Sequence, residues 1–165
     1  MSSETAHGQL FDAEHRVLDG ILADVEALAQ RESFSPAAKR FAEFLRFLEQ
    51  HIANENDVLL PLFLKHSGDP QGVVPLMRAE HAALLRVACE LAAALSQWDG
   101  GGVRSRLLEL TSMLKAHHEN EERVLHPALD AIIPNEAAWQ EALHGCRHDN
   151  APPMKGSGVH DLSEN

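Results

Sequence analysis

Tyrosine is absent from the 165-residue chain, and its absence excludes one class of chemistry. A chain without this side chain can hold neither a tyrosyl radical nor a tyrosinate metal ligand. Basic residues are also scarce, since Lys and Arg total 14 against 25 Asp and Glu, which gives a formal net charge of −11. So strong a negative charge argues against nucleic acid or an anionic membrane surface as a partner.

Cysteine is nearly absent too, because only Cys89 and Cys146 occur, far apart and outside any C-x-x-C pair. We interpret both as free thiols and expect Cys89, which falls in an apolar helical stretch, to lie in the core. His144 and His148 could join Cys146 on a metal, but this short cluster lacks a second group of ligands.

Long apolar runs are missing, and the first residues show no basic region followed by an apolar stretch. A membrane-spanning helix needs about 20 consecutive apolar residues, and a signal sequence needs both of those regions. We therefore expect a soluble, cytoplasmic protein. At this length the chain is expected to form one domain that is large enough to bury an ordinary core.

Histidine, in contrast, is abundant, with 11 copies, and it is the commonest metal ligand in proteins. Several histidines belong to a repeat that appears when the sequence is shifted by 66 residues without insertion. "LEQHIANENDVLLP" (48–61) then falls on "LKAHHENEERVLHP" (114–127), and "AEHRVL" (13–18) falls on "AEHAAL" (79–84). A solvated surface gives no reason for polar residues to recur in one register, so the repeat points to a shared role. The polar pairs are His15/His81, His51/His117 and Glu55/Glu121, and the prolines pair as Pro61/Pro127.

Apolar periodicity and stop signals predict helices and no strands. Ser35 and Pro36 are interpreted as the N-cap and the first position of the second helix, and breaks are expected near Pro61 and Pro127. The "DGGG" segment, 99–102, is expected to separate the third helix from the fourth. The four predicted helices cover about 8–30, 35 to the mid-60s, 73–98 and 103–126.

Four helices with short connections are typical of an antiparallel up-down-up-down four-helix bundle, an all-α fold. A short extra C-terminal helix is expected from about 134 to 146. We assign residues 1–148 to this bundle and residues 149–165, which are polar and turn-forming, to a flexible tail.

The repeated polar residues fall on the buried stripe of each predicted helix, where apolar residues recur at 3–4 spacing. The fourth stripe continues regularly to Val124. Burying two ionised glutamates costs several kcal/mol each unless a positive charge compensates them, and the stripes carry no Lys or Arg. The residues on these stripes are His15; His51 and Glu55; His81; and His117 and Glu121.

Counting residues from the turns places the four histidines at one level of an antiparallel bundle. At 1.5 Å per residue, His15 and His51 both lie roughly 22 Å from the turn that joins their helices. Four imidazoles and two carboxylates suit two metal ions, with Glu55 and Glu121 bridging and a shared oxo, hydroxo or water ligand. This mixed ligation favours iron or manganese over a tetrahedral structural zinc.

These residues resemble the signature of the hemerythrin-like family, also called HHE cation-binding domains, over about residues 8–130. The family has a lone His on helices 1 and 3, which matches His15 and His81. It has H-x-x-x-E on helices 2 and 4, which matches His51/Glu55 and His117/Glu121. The resemblance implies a non-haem di-iron site, bridged by the two carboxylates, that meets dioxygen, nitric oxide or peroxide.

The chain departs from the oxygen-carrying hemerythrins at Leu85, where those proteins have a second histidine four residues after the ligand of helix 3. The missing imidazole argues against reversible oxygen carriage. We interpret His118 and Glu122 as outer partners or surface residues, although either could be a seventh ligand. His66 and His126 are interpreted as surface residues.

Three functions remain open from the sequence. The first is a di-iron protein that binds or senses dioxygen, nitric oxide or iron. The second is a di-iron enzyme that removes peroxide or nitric oxide or repairs iron centres, with a redox partner if electrons are exchanged. The third is a structural or storage site for zinc or iron. Since the stripes carry no obvious general acid or base besides the ligands, we favour the first.

Overall fold

The computed structural model of the protein describes residues 6–69 and 71–132, with side chains for residues 13–69 and 71–131. All regular structure within these residues is helical. A π-helical turn, Glu55–Leu59, joins α2 to α3, and a second, Glu121–Leu125, joins α5 to α6, so the chain forms four helical rods. The helices are α1 (Ala6–Gln30), α2 (Phe34–Asn54), α3 (Leu60–Ser67), α4 (Val73–Ser96), α5 (Gly100–Asn120) and α6 (His126–Ile132).

The rods close into a ring in which α1 packs on α2, α2 on α4, α4 on α5, and α5 on α1. Because short connections join consecutive rods, neighbours run in opposite directions, which confirms the predicted antiparallel four-helix bundle. No helix in the described part of the chain is long and apolar enough to cross a membrane. The predicted helix at 134–146 and the predicted tail at 149–165 lie outside the described residues.

The apolar core has two parts, and among the described side chains the second, third and fourth rods contribute to both. The larger cluster is built around Phe44, Leu48, Leu84 and Leu110, all of which are completely buried. The smaller cluster lies beyond it and is formed mainly by α3, the start of α4, and the region of α6. The repeated histidines and glutamates fall between the two clusters in sequence, so they form a polar layer inside an apolar bundle.

Two predicted helix starts were wrong in detail. The second helix begins at Phe34 with Ser33 as its N-cap, so Ser35 lies inside the first turn. The glycines of "DGGG" are the first turn of α5 rather than a spacer. Asp99 permits this, because its side chain accepts a hydrogen bond from the backbone N–H of Gly102 at 3.0 Å.

Cys89 is exposed, so its predicted place in the core was wrong. On α4 the buried stripe runs through Leu84, Ala88 and Leu91. A residue directly after a stripe position points about 100° aside, and at Cys89 that direction faces solvent.

The breaks expected at Pro61 and Pro127 are π-helical turns that end two residues before each proline. In each turn the backbone N–H five residues ahead donates to the carbonyl of the glutamate, Leu60 to Glu55 and His126 to Glu121. A proline has no N–H and crowds the carbonyl four residues back, so the regular ladder cannot continue through it. The wider turn accommodates the break, and an α-helix follows it directly in both rods.

Replacing the Asp99 cap tests the start of α5. Asp99→Ala should lower the free energy of unfolding of the metal-free protein by about 1 kcal/mol, because it removes the acceptor for a backbone N–H of the first turn. Ser33→Ala is the matched control, since Ser33 makes no side-chain hydrogen bond at its helix start. Chemical denaturation measures both, and equal losses from the two variants would contradict the capping role.

Candidate metal centre

The structure brings the six predicted residues together in the polar layer, and none of them is more than 4% exposed. Their side-chain N and O atoms form two groups in which all atoms lie within 4.8 Å of one another. Both glutamates belong to both groups, whereas each histidine belongs to one. The groups are His15, His51, Glu55 and Glu121, and Glu55, His81, His117 and Glu121.

Each glutamate directs one carboxylate oxygen toward each group of histidines. Glu55 has Oε1 at 3.3 Å from Nε2 of His51 and Oε2 at 2.9 Å from Nε2 of His81. Glu121 has Oε1 at 3.1 Å from Nε2 of His117 and Oε2 at 3.2 Å from Nε2 of His15. Since the partners exchange under the shift of 66 residues, the two halves of the bundle are related by an approximate two-fold symmetry. This is the arrangement that two carboxylates need in order to bridge two cations.

The outer ring nitrogens of three histidines are held by polar side chains. Nδ1 of His51 donates to Glu14 at 2.9 Å, and Nδ1 of His117 donates to Glu80 at 2.8 Å. Both pairs are 37 residues apart, so the repeated glutamates of the sequence have equivalent roles. When Nδ1 donates outward, the lone pair of Nε2 is directed inward, which is the tautomer that a metal ligand needs.

The outer nitrogens of the remaining two histidines, His81 and His15, also face residues at equivalent positions of the repeat. Nδ1 of His81 lies 3.0 Å from Oδ1 of Asn56, and Nδ1 of His15 lies 3.6 Å from Oε1 of Glu122. Asn56 and Glu122 are equivalent positions, although only the first distance is short enough for a hydrogen bond. Sequence reasoning missed Asn56 entirely. The clue that was present is that each residue directly follows a repeated glutamate.

The inward atoms of this layer have no aligned hydrogen-bond partner among the side chains that the structure describes. Buried polar atoms are satisfied in the great majority of cases, and leaving one unpaired costs about 1–3 kcal/mol. Cations placed between the histidines and the carboxylates would satisfy the whole set, so the residues fit a pair of metal ions. The inward atoms are Nε2 of His15, His51, His81 and His117, and both carboxylate oxygens of Glu55 and Glu121.

Proton affinities in the layer show how strongly it attracts positive charge. Burial disfavours the charged form of His117, but the carboxylates of Glu121 and Glu55 outweigh burial and raise the pKa of the imidazole to about 11. Burial alone would raise the pKa of Glu121, yet the rings of His117 and His15 hold it well below its usual range. The imidazole of His117 therefore carries a proton at neutral pH when no metal is bound.

Two histidines that we had not placed in the layer lie beside His15. The ring of His118 is stacked on that of His15, with centroids 3.6 Å apart and planes inclined by 5°, and it is only 5% exposed. Burial lowers the pKa of His118 to about 2. The ring of His126 lies 5.9 Å from that of His15 and is 7% exposed. His118 is thus an inner neighbour of the site, and the surface assignment of His126 was wrong.

The error at His126 comes from the π-helical turn. On a regular helix His126 points about 180° away from His117, but the turn adds one residue and rotates every later position by about 100°. The same rotation leaves Val124, which was predicted to be buried, only partly buried, and brings Leu125 fully inside. His66 is exposed, as predicted, and Leu85 stands beside the larger apolar cluster.

The comparison with protein families agrees with this geometry. The model of the hemerythrin HHE cation-binding domain matches residues 8–141. The chain belongs to this family. Comparison with curated proteins and with solved structures gave no match.

A hemerythrin-type domain binds cations, and the layer of this one contains two groups of two imidazoles and two carboxylates that could each hold a metal ion. The outer oxygens of Glu14, Glu80 and Asn56 would hold three of these imidazoles in the ligating orientation. The apolar clusters on both sides keep water out and fix the positions of the rings.

The outer glutamates of this hemerythrin-type site should matter for metal affinity. Glu80→Ala removes the acceptor of the Nδ1 proton of His117, so we expect metal affinity to fall about 10–100-fold, and Glu14→Ala should do the same through His51. Glu119→Ala, at an exposed carboxylate on the same helix as His117, is the control. Metal competition titrations measure the three variants, and unchanged affinity in Glu80→Ala would contradict the outer role.

Metal binding should also release protons. Since the pKa of His117 in the metal-free fold is about 11, a metal must displace its proton at neutral pH, and affinity should rise by about tenfold per pH unit for each proton displaced. In the metal-free protein the same proton stabilises the fold fully below pH 6.5, and this stabilisation is lost as the pH rises toward 11. Calorimetric titration in buffers of different ionisation enthalpy measures the protons released, and none released at pH 7 would contradict the prediction.

Proposed function

We propose that the protein is a non-haem di-iron protein of the hemerythrin type that binds or senses dioxygen, nitric oxide or iron. One observation carries the proposal: each buried glutamate turns one oxygen toward each pair of histidines. A site for a single ion would need no such division of the carboxylate oxygens.

Iron is the metal that this set of donors favours. Imidazole nitrogens and carboxylate oxygens in equal numbers suit iron or manganese, whereas a structural zinc is usually held by four tetrahedral ligands that include thiolates. No cysteine lies among the side chains that form this layer in the described part of the chain. Bound iron would supply a change of oxidation state and an open coordination position.

The surroundings support a small and weakly polar molecule as the ligand. Apolar side chains line most of a groove between α1 and α2, where Val17, Leu18 and Phe47 lead to His51. A second groove, between α4 and α5, is lined by Ala83, Met113 and other residues and leads to His117. Diatomic molecules such as dioxygen and nitric oxide can enter through such apolar openings without losing strong hydration.

The apolar setting also favours binding over elaborate catalysis. The layer is enclosed by Leu18, Leu48, Leu84 and Leu114, each at most 1% exposed, so these residues can exclude water but cannot transfer protons. The enzyme alternative would therefore depend on the metals themselves. Peroxide turnover by the iron-loaded protein, measured against the iron-free protein, would favour that alternative.

The iron content tests the proposal directly. Protein loaded with iron should bind two ions per chain, absorb in the near ultraviolet when oxidised, and change this absorption when azide is added, because a coordination position is open. The reduced protein should react with dioxygen or nitric oxide. His51→Ala and Glu121→Ala should each lose at least one ion, and His66→Ala is the exposed control.

Two kinds of result would contradict the proposal. A single tightly bound zinc, or two ions whose spectrum azide leaves unchanged and whose reduced form survives in air, would replace the redox proposal with a structural or storage role. Equal loss of iron from His66→Ala and His51→Ala would contradict the assignment of the layer.

A further inference from the structure

We propose that His118 is a fifth imidazole ligand of the metal centre, bound to the ion that His15 and His51 hold. This inference rests on the proposed function and makes the two metal positions unequal. One position has three imidazoles, and the other, with His81 and His117, has two.

The position of the His118 ring is the first observation. Its Nε2 is completely buried and has no aligned hydrogen-bond partner among the described residues. His15, His51 and His118 each offer one ring nitrogen, and the three atoms lie within 4.8 Å of one another. Two ligands at about 2.1 Å from a metal are at most about 4.2 Å apart, so nitrogens within 4.8 Å of one another must move together by at most roughly 0.6 Å to share one ion.

The internal repeat supplies the second observation. The four histidines of the repeat have a histidine at the equivalent position, whereas the equivalents of His118 and His126 are Ile52 and Leu60. The side chains of His118 and Ile52 are both buried, at 5% and 4% exposure, so packing at this position is satisfied by an aliphatic side chain. The second half of the chain therefore carries an imidazole where the bundle does not require one.

Stacking on His15 does not by itself explain the imidazole. A stack uses the faces of the rings, which are 3.6 Å apart here, and a phenylalanine would provide it without a buried polar atom. Stacking also leaves Nε2 unsatisfied, at a cost of about 1–3 kcal/mol. Ligation to a metal accounts for the nitrogen. It also requires the ring of His118 to turn out of the stack on His15, because an imidazole binds a metal in the plane of its ring and these two planes are nearly parallel.

The inequality has a chemical consequence at the other ion. The side of His81 and His117 lacks a third imidazole, because Leu85 follows His81 by four residues and contributes none. Grooves reach both groups of histidines, at His51 and at His117, so the number of imidazoles and not access distinguishes the two positions. An added anion such as azide should therefore bind at the ion of His81 and His117 and leave the ion of His15 largely undisturbed.

Proton NMR of the protein loaded with Co(II) tests the ligand count. Each ligating imidazole retains one exchangeable N–H whose signal the cobalt shifts far outside the normal range, so the four histidines of the repeat plus His118 should give five such signals. His118→Phe keeps an aromatic ring against His15, and His118→Ile copies Ile52. Both should lose one signal, and metal affinity at one of the two positions should fall at least tenfold, the smallest loss expected for an outer partner alone.

His66→Phe, the same change at an exposed histidine, is the matched control and should leave all signals in place. Two bound ions with an unchanged set of signals in both His118 variants would overturn the inference and leave the di-iron proposal intact. A wild-type chain that binds no pair of ions would overturn the di-iron proposal itself. Circular dichroism of the metal-free variants confirms folding, and His118→Ile serves as the test if His118→Phe does not fold.

Discussion

The structure depends on two carboxylates buried at the centre of an apolar bundle. Glu55 and Glu121 are completely inaccessible to solvent, and the close charge partners they have among the described residues are four imidazoles. Ionised carboxylates in an apolar core need a positive charge beside them. The raised pKa of His117 means that its protonated imidazole supplies such a charge in the metal-free chain. The buried layer therefore needs positive charge. Two metal ions would supply it more completely than protons, because they would also satisfy the ring nitrogens.

The same internal repeat builds both the fold and the candidate site. Two helical hairpins, related by an approximate two-fold axis, each contribute one lone histidine, one H-x-x-x-E pair and one outer glutamate. The lone histidine of each half contacts the glutamate of the other, His15 with Glu121 and His81 with Glu55. The contacts that would hold the metals thus also hold the halves together, so metal binding should be coupled to the stability of the whole bundle.

Much of this could be predicted from the sequence, because the helices are long, strongly periodic and joined by short turns. The repeat and the buried stripes were enough to group the six residues of the layer, whose role as ligands is our proposal. The outer partners were harder, since Glu14 and Asn56 lie beside stripe positions and periodicity assigns such residues to the surface. Only the packing of neighbouring rods shows that they reach the rings of His51 and His81.

The π-helical turns could not be predicted from periodicity, yet the packing of the smaller apolar cluster depends on them. Pro61 and Pro127 predict a break in the regular helix but do not indicate that it is a π-helical turn. Each π-helical turn begins at a buried glutamate and adds one residue to the helix. Beyond the polar layer, the positions that point into the bundle are therefore shifted along the sequence. On the fourth rod this replaces Val124 by Leu125 and Leu129 in the smaller apolar cluster and directs His126 toward His15. The same backbone change therefore closes the core beneath the site and adds an imidazole to its wall, on the side where His118 already breaks the symmetry of the repeat.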